Sequence, residues 1–271
     1  MLDFLEYEFM QNTLLLLLII SPVFGLLSTM VVNNKLAYFS DALGHSAYMG
    51  IALGLIIGMT TSSIIPILVF SSIFSILLVL IKRSFRESPD TVIGIISSIS
   101  LALGIIILSN YGGIQKFSSI LVGDPLLVDK SELIYLLILG IVICFVFSII
   151  YKKMILINID KSLARSKGIN PTKYEIIFTL IIAVAVSISI NIIGVLLINS
   201  LFILPAATSK NVSKNMKQYI TFSVIISILS SIVGLLLSYY LAAYKLPTGA
   251  SIVIICGIAY IASLIIKKLI K

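Results

Sequence analysis

The residues most able to do chemistry in this sequence are an aspartate and a histidine that stand four positions apart. Asp41 is followed by His45, the only histidine of the chain. On an α-helix this spacing places both side chains on one face, one turn apart. A carboxylate oxygen beside an imidazole nitrogen suits a divalent transition ion such as Mn²⁺, Fe²⁺ or Zn²⁺, whereas histidine argues against Mg²⁺ and Ca²⁺. The pair therefore predicts a site that handles one of these three ions.

The composition around this pair is that of a membrane protein. Of the 271 residues, 59% are hydrophobic and 11% are charged, and the mean hydropathy is +1.19. These values exclude a water-soluble core. Apolar runs of about 20 residues, long enough to cross the hydrocarbon of a bilayer, recur along the chain with short polar gaps. We therefore expect an all-α, polytopic protein with residues 1–271 in a single transmembrane domain.

The apolar runs predict about nine transmembrane helices. The sixth and seventh are separated only by Asn191, so the count falls to eight if 174–208 is one broken span. The predicted spans are 13–32, 36–58, 62–81, 91–109, 131–151, 174–190, 192–208, 219–242 and 249–266.

The basic residues predict the orientation. With nine spans and the N-terminus outside, sixteen of the nineteen Lys and Arg residues fall in inner loops or at the C-terminus, as the positive-inside bias requires. We therefore expect a multi-pass protein of the plasma membrane with a cytoplasmic C-terminus. The net charge of +8 reflects this topology. Nucleic-acid binding would need basic residues clustered with aromatic residues on a soluble face, and the sequence has no such cluster.

Asp41 stands out because we expect the other ten acidic residues in termini or loops, which leaves Asp41 as the one acidic residue expected within a span. His45 lies roughly 13 Å into the membrane, near its midplane. A carboxylate at such a depth costs several kcal/mol without water, a cation or a partner. Two ligands are too few for a tight site, but two copies of the chain about a symmetry axis would supply four. The alternative is that Asp41 and His45 bond each other or nearby hydroxyls and only fix their helix.

The same predicted helix carries glycines at four-residue spacing. Gly50, Gly54 and Gly58 form a small-xxx-small pattern that lets a neighbouring backbone approach closely. At about 100° per residue they point away from Asp41 and His45. One face of this helix is therefore expected to pack, while the other lines a path.

The stretch from Asp41 to Gly54, DALGHSAYMGIALG, resembles the signature of the manganese/zinc/iron permease family of ABC importers. Further matches follow in the family's order: DTVIG at 90–94, LVGD at 121–124 and GVLLINSLFILPAA at 194–207. Gly44 stands where Ser is usual in that family and Met49 where Pro is common, so the bend of this helix is expected to differ.

The resemblance implies a type II importer-like permease that works as a homodimer. An extracytoplasmic metal-binding protein would deliver the ion, and a separate cytoplasmic ATPase would bind ATP. In this family the residues matching Asp41 and His45 handle the ion at mid-membrane. The outer segment 111–130 is expected to close the path from outside or to receive the binding protein.

The inner loop at about 152–173 is the expected contact with the ATPase. It resembles the family's AxxxGxxP-like loop, with Ala164, Gly168 and Pro171 at the matching positions, and Asp160 opens a short helical pattern. From the residues alone, a solvated basic loop that only sets topology is an equal alternative. The chain has no Gly-x-x-x-x-Gly-Lys-Ser/Thr motif, so we expect no ATPase activity and no cofactor of its own.

Pro205 lies near the inner end of the seventh predicted span. Its ring and missing N–H would kink a helix and provide a hinge for an inner gate. From residue chemistry alone, a helix end before a basic loop is the preferred interpretation.

The function predicted from the sequence is the permease subunit of an ATP-driven importer of Mn²⁺, Zn²⁺ or Fe²⁺. One alternative is the permease of an importer of iron chelates or cobalamin, which would need a wide cavity. Another is a secondary metal transporter driven by an ion gradient, which commonly spreads ionisable groups over several helices. A membrane scaffold without transport is the third, and there a change of Asp41 would alter stability but no flux.

Overall fold

The computed structural model describes residues 6–60, 63–85, 88–111, 123–241 and 246–270. Across these ranges the chain forms helices and no strand. In chain order they are α1 (Glu8–Asn33), α2 (Phe39–Ile56), α3 (Ile64–Phe85), α4 (Pro89–Asn110), a 3-10 turn at Pro125–Leu127, α5 (Lys130–Ile159), α6 (Lys161–Ser166), α7 (Pro171–Ile193), α8 (Val195–Val212), α9 (Met216–Tyr240) and α10 (Thr248–Ile270). The predicted outer segment 111–130 falls largely outside the described residues, as do residue 62 of the third predicted span and residue 242 of the eighth.

Eight of these helices are long and apolar enough to cross a membrane, which confirms an all-α polytopic protein. They are α1, α3, α4, α5, α7, α8, α9 and α10. Each of the nine predicted spans coincides with a helix, and the remaining one is α2, with 18 residues. Asp41, His45 and several small residues lower the hydropathy of α2, although most of its side chains are buried.

The break between α7 and α8 falls at Gly194, three residues after the position expected from Asn191. Gly194 has φ 79° and ψ 160°, a conformation that is essentially restricted to glycine. Asn191 continues the helix instead. Both α7 and α8 are by themselves long and apolar enough to span, which favours two spans over one broken span.

The chain divides into two compact units. The first contains Met1–Val32, Leu121–Ile141 and Ser189–Lys271. Within it α8, α9 and α10 pack on one another, and serines join α1 to α9. The Ser21 hydroxyl donates to that of Ser231 (2.7 Å), and Ser227 donates to the Ser21 carbonyl (2.7 Å). Interhelical hydroxyl bonds of this kind suit an apolar surrounding, in which helices gain little from hydrophobic association.

The second unit contains Asn33–Ile120 and Val142–Ile188. In it α2 packs against both α3 and α4. Phe39 of α2 stacks on Phe74 of α3, with 6.5 Å between ring centroids. Phe147 of α5 contacts Phe178 of α7 at 6.1 Å. These aromatic contacts lie in the interior of the unit, where all four rings are buried.

Candidate metal-handling face and short inner helix

Helix α2 positions the aspartate and histidine singled out from the sequence. Asp41 lies in the first turn of α2, where the N-terminal end of a helix favours a negative charge. One turn later, His45 Nε2 lies 3.3 Å from Asp41 Oδ2. The structure therefore brings the two side chains together on one helix face, as their four-residue spacing predicts.

This face is the open one. Between Phe39 and Gly54 the only partly exposed residues are Asp41, His45, Met49 and Leu53, each four positions after the last. The Asp41 side chain is 46% exposed and that of His45 27%, whereas every other residue of that stretch is buried. A pair that served only to fix α2 against its neighbours would be expected on its packed faces.

The packed faces of α2 depend on glycines. A Cβ atom on Gly50 would lie 2.8 Å from Ile67 Cα, and one on Gly54 would lie 2.7 Å from Pro66 Cγ. Gly104 of α4 lies equally close to the Met49 backbone, with 2.9 Å from its Cβ position to the nitrogen. Gly58 is different, because α2 ends at Ile56 and Gly58 has φ 84° and open space around it. Gly58 terminates the helix and takes no part in its packing.

The open face carries two groups that could coordinate a metal ion, the Asp41 carboxylate and the His45 imidazole. The Nδ1 atom of His45 is buried and has no hydrogen-bond partner among the described residues, while Nε2 faces the carboxylate. Carboxylate and imidazole together suit divalent transition ions. In the described part of the chain, no three His, Cys, Asp or Glu side chains come close enough to hold a metal ion. One copy of the chain thus offers two ligands.

The inner loop expected at 152–173 contains a short helix. Residues 152–159 continue α5, and α6 follows after Asp160. The Asp160 carboxylate caps α6 by accepting from the backbone N–H groups of Ser162 (2.6 Å) and Leu163 (3.2 Å). Ala164 is buried, and Gly168 ends the helix with φ 73°. Each of the three residues proposed from the sequence therefore contributes to the shape of this segment.

Glu175 was missed by the sequence analysis. The expectation that Asp41 is the only acidic residue within a span is wrong. Glu132 lies in the first turn of α5, and Glu175 lies inside α7, a membrane-length helix. Its side chain is 17% exposed and lies 2.9 Å from Lys161 Nζ. The signal was present in the sequence, since Glu175 falls within the predicted span 174–190 and directly follows a strongly basic loop.

Pro205 lies inside α8, which continues past it to Val212, and its side chain is buried. The helix therefore does not end there, although that was the interpretation preferred from residue chemistry. A proline inside a helix removes one backbone hydrogen bond to the carbonyl four residues earlier, here that of Leu201. The backbone of α8 therefore lacks one hydrogen bond at this position.

The sequence profile of the ABC 3 transport family matches residues 6–267. The chain belongs to this family. Among curated members, it is 31% identical over 259 residues to the high-affinity zinc uptake system membrane protein ZnuB of Haemophilus influenzae, covering 95% of this chain and 97% of that one. It is 28% identical to the manganese import system permease protein ScaB of Streptococcus gordonii, covering 96% and 92% of the two chains.

Family membership extends to the three-dimensional structure. A chain of PsaBC from Streptococcus pneumoniae, solved in complex with Fab, superposes with a TM-score of 0.81 at 26% sequence identity. The superposition covers 96% of this chain and 94% of that one. The fold of that chain therefore covers nearly the whole of this molecule.

Proposed function

We propose that this chain is the permease subunit of an ATP-driven importer of a divalent metal ion, Zn²⁺, Mn²⁺ or Fe²⁺. The observation that carries the proposal is the Asp41/His45 pair on the one open face of α2. The zinc uptake and manganese import proteins among its relatives support a metal ion as the cargo. The chain itself is proposed to be a transport subunit and no enzyme, with ATP bound by a partner.

The metal path is proposed to form between two copies of the chain. One copy contributes a carboxylate and an imidazole, and a two-fold partner doubles them to four ligands. The open stripe of Asp41, His45, Met49 and Leu53 would then face its own symmetry mate. In alternating access, this central site would be exposed first to the outside and then to the cytoplasm.

The cytoplasmic end is proposed to dock an ABC ATPase through α6. A capped helix of six residues between α5 and α7 provides a compact element for such a contact. Asp160, Ala164 and Gly168 would shape this coupling element, and Pro205 would serve as a hinge of the inner gate. An extracytoplasmic binding protein would deliver the ion at the opposite end.

The proposed location is the plasma membrane, with the N-terminus outside and the C-terminus in the cytoplasm. Two contacts within the first unit join residues that this topology places on the same side of the membrane. Lys130 pairs with Glu8 at 2.7 Å, and both are predicted outside. Lys267 donates to Asn211 at 3.0 Å, and both are predicted inside.

Metal uptake tests the proposal. The chain is expressed with its ATPase and binding protein, and uptake of each ion is compared between wild type, Asp41→Asn and His45→Ala at matched membrane abundance. Loss of a metal ligand is expected to lower uptake of one ion by at least roughly 10-fold, because even indirect partners of a metal contribute that much.

Ile138→Ala is the control, since Ile138 is an exposed apolar residue of α5 that lies outside the α2 stripe and offers no ligand atom. Its uptake is expected to stay near that of wild type. Unchanged uptake in both Asp41→Asn and His45→Ala would reduce the pair to structural residues. Uptake that follows an ion gradient and continues without the ATPase would favour a secondary transporter instead.

A further inference from the structure

A small cavity in the second unit brings together segments that are far apart in sequence. Its lining includes Asn34 and Leu36 before α2, Lys82 near the end of α3, and Glu175 and Thr179 of α7. Leu36 stands three residues before Phe39, the first residue of α2. Glu175 therefore lies beside the segment that leads directly to Asp41 and His45.

Glu175 connects this cavity to the short helix α6. Its Oε1 atom accepts from Lys161 Nζ, the first residue of α6, at 2.9 Å. The Glu175 side chain is 17% exposed, whereas Lys161 is 56% exposed. The carboxylate is thus sheltered between Lys161 on one side and the Lys82-lined cavity on the other, where solvent screens charge less than at the surface.

The end of α7 that carries Glu175 is held to two further helices. The Arg83 guanidinium of α3 donates to the Thr172 hydroxyl, and Lys153 Nζ of α5 donates to the Tyr174 hydroxyl at 2.7 Å. Asn170 Oδ1 caps α7 by accepting from Thr172 N at 3.1 Å. A displacement of α6 would therefore reach α7 through the Lys161–Glu175 pair, and α3 through the bond between Arg83 and Thr172.

Helix α3 in turn contacts α2 next to the metal-handling face. The hydroxyls of Ser46 and Ser71 lie 3.3 Å apart. Gly50 packs against the Ile67 backbone so closely that a Cβ would not fit. Because these contacts leave α2 little freedom against α3, the two helices are expected to move together.

We propose that Glu175 is a positioning residue that passes movement of α6 to α2 and so couples ATP hydrolysis to opening of the Asp41/His45 site. This inference rests on the proposed function. Glu175 acts through Lys161 on one side and through the cavity beside Asn34 and Leu36 on the other. It needs no contact with the ion.

The test measures the number of ions imported per ATP hydrolysed. Wild type and Glu175→Gln are each reconstituted with the ATPase and the binding protein in proteoliposomes, using Zn²⁺, Mn²⁺ and Fe²⁺ as separate probes. Glu175→Gln keeps the size of the side chain but removes its charge. We expect ATP hydrolysis per complex to be retained, while ions imported per ATP fall roughly 2- to 30-fold, the range for residues that carry coupling between sites.

Two variants complete the experiment. Lys161→Met keeps the aliphatic stem and is expected to give a smaller fall, because Lys82 still faces Glu175 across the cavity. Glu8→Gln is the matched control, since Glu8 forms an ion pair of similar length with Lys130 in the other unit. Its ratio of ions to ATP is expected to equal that of wild type.

The outcomes separate the two proposals. A wild-type ratio in Glu175→Gln, or fewer assembled complexes that each keep the wild-type ratio, overturns the positioning role. If Glu175→Gln does not assemble, Lys161→Met decides, and an unchanged ratio there overturns the role. If the wild-type complex imports none of the three ions in the presence of ATP, the proposed function is overturned, and this inference with it.

Discussion

Asp41 and His45 lie on the partly exposed face of α2, where their polar groups remain accessible. Every turn of α2 from Phe39 to Gly54 is buried except along the line that these two residues share with Met49 and Leu53. Ionisable groups in a membrane are expensive and usually face a cavity, a pathway or a partner. Their position on the open face, with 3.3 Å between Oδ2 and Nε2, fits a pair that receives an ion.

Gly50 gives a test of how tightly the opposite face is packed. A Cβ atom there would lie 2.8 Å from Ile67 Cα, a backbone atom that cannot move aside alone. Gly50→Ala is therefore expected to lower the free energy of unfolding by about 1–3 kcal/mol, as overpacking does in well-packed interiors. Thermal unfolding of the purified protein in detergent measures the change.

Gly94 of α4 is the matched control for Gly50. It is also helical, but nothing lies within 4 Å of its Cβ position. Gly94→Ala is expected to stabilise the protein by about 0.5–1 kcal/mol, since alanine loses less backbone entropy in a helix. Equal effects of the two substitutions would show that the α2 and α3 backbones are not in close contact.

At the scale of elements, the junction of α7 and α8 depends on one residue. Gly194 alone separates the helices, at φ 79° and ψ 160°. Any side chain strains this conformation, so Gly194→Ala is expected to cost about 1–3 kcal/mol of stability. Asn191→Ala, at the exposed position where the sequence predicted the break, is expected to change stability by less than about 0.5 kcal/mol.

Thermal unfolding and membrane abundance of the two variants decide between these positions. A large loss in Asn191→Ala with none in Gly194→Ala would place the junction where the sequence predicted it. It would also contradict the uninterrupted course of α7 through Asn191.

The existence of the long helices was predictable because it depends on the length of apolar runs. The ends of these helices were less predictable. The fifth predicted span stopped at 151, but α5 continues to Ile159, because lysines such as Lys152 and Lys153 are good helix formers and carry their charge to the interface. The break at Gly194 was missed because its apolar neighbours conceal it.

Contacts between the helices could not be predicted from the sequence. The bonds of Ser21 with Ser227 and Ser231 depend on the register of α1 against α9, which apolar periodicity does not specify. The partner of Glu175 likewise depends on how α6 folds back beside α7. For the candidate site, spacing alone predicted the shared face of Asp41 and His45, because both lie on one helix.

At the scale of the whole molecule, the second unit holds both the Asp41/His45 face and the short helix α6. The link proposed between ATP hydrolysis and the metal site therefore runs within one compact unit. Asn34 and Lys82, which flank the α2–α3 pair, line the same cavity. The start of α2 and the end of α3 therefore lie on the same side, as expected for two consecutive membrane spans.

Whether α2 crosses the membrane is decided by the sides on which Tyr7 and Ser166 lie. Five long helices, α1 to α5, separate these exposed residues. If all five cross, Tyr7 and Ser166 lie on opposite sides; if α2 does not, they lie on the same side. The nine-span orientation places Tyr7 outside and Ser166, in α6, in the cytoplasm.

Cysteine labelling measures this directly. After replacement of Cys144 and Cys256 by alanine, Tyr7→Cys is expected to react with a membrane-impermeant maleimide in intact cells, and Ser166→Cys only after permeabilisation. Retained metal uptake serves as the control for folding. Reaction of both cysteines in intact cells would mean that α2 does not cross the membrane, and the reverse pattern would invert the orientation. Either result would contradict docking of a cytoplasmic ATPase at α6, because α6 would then face the outside.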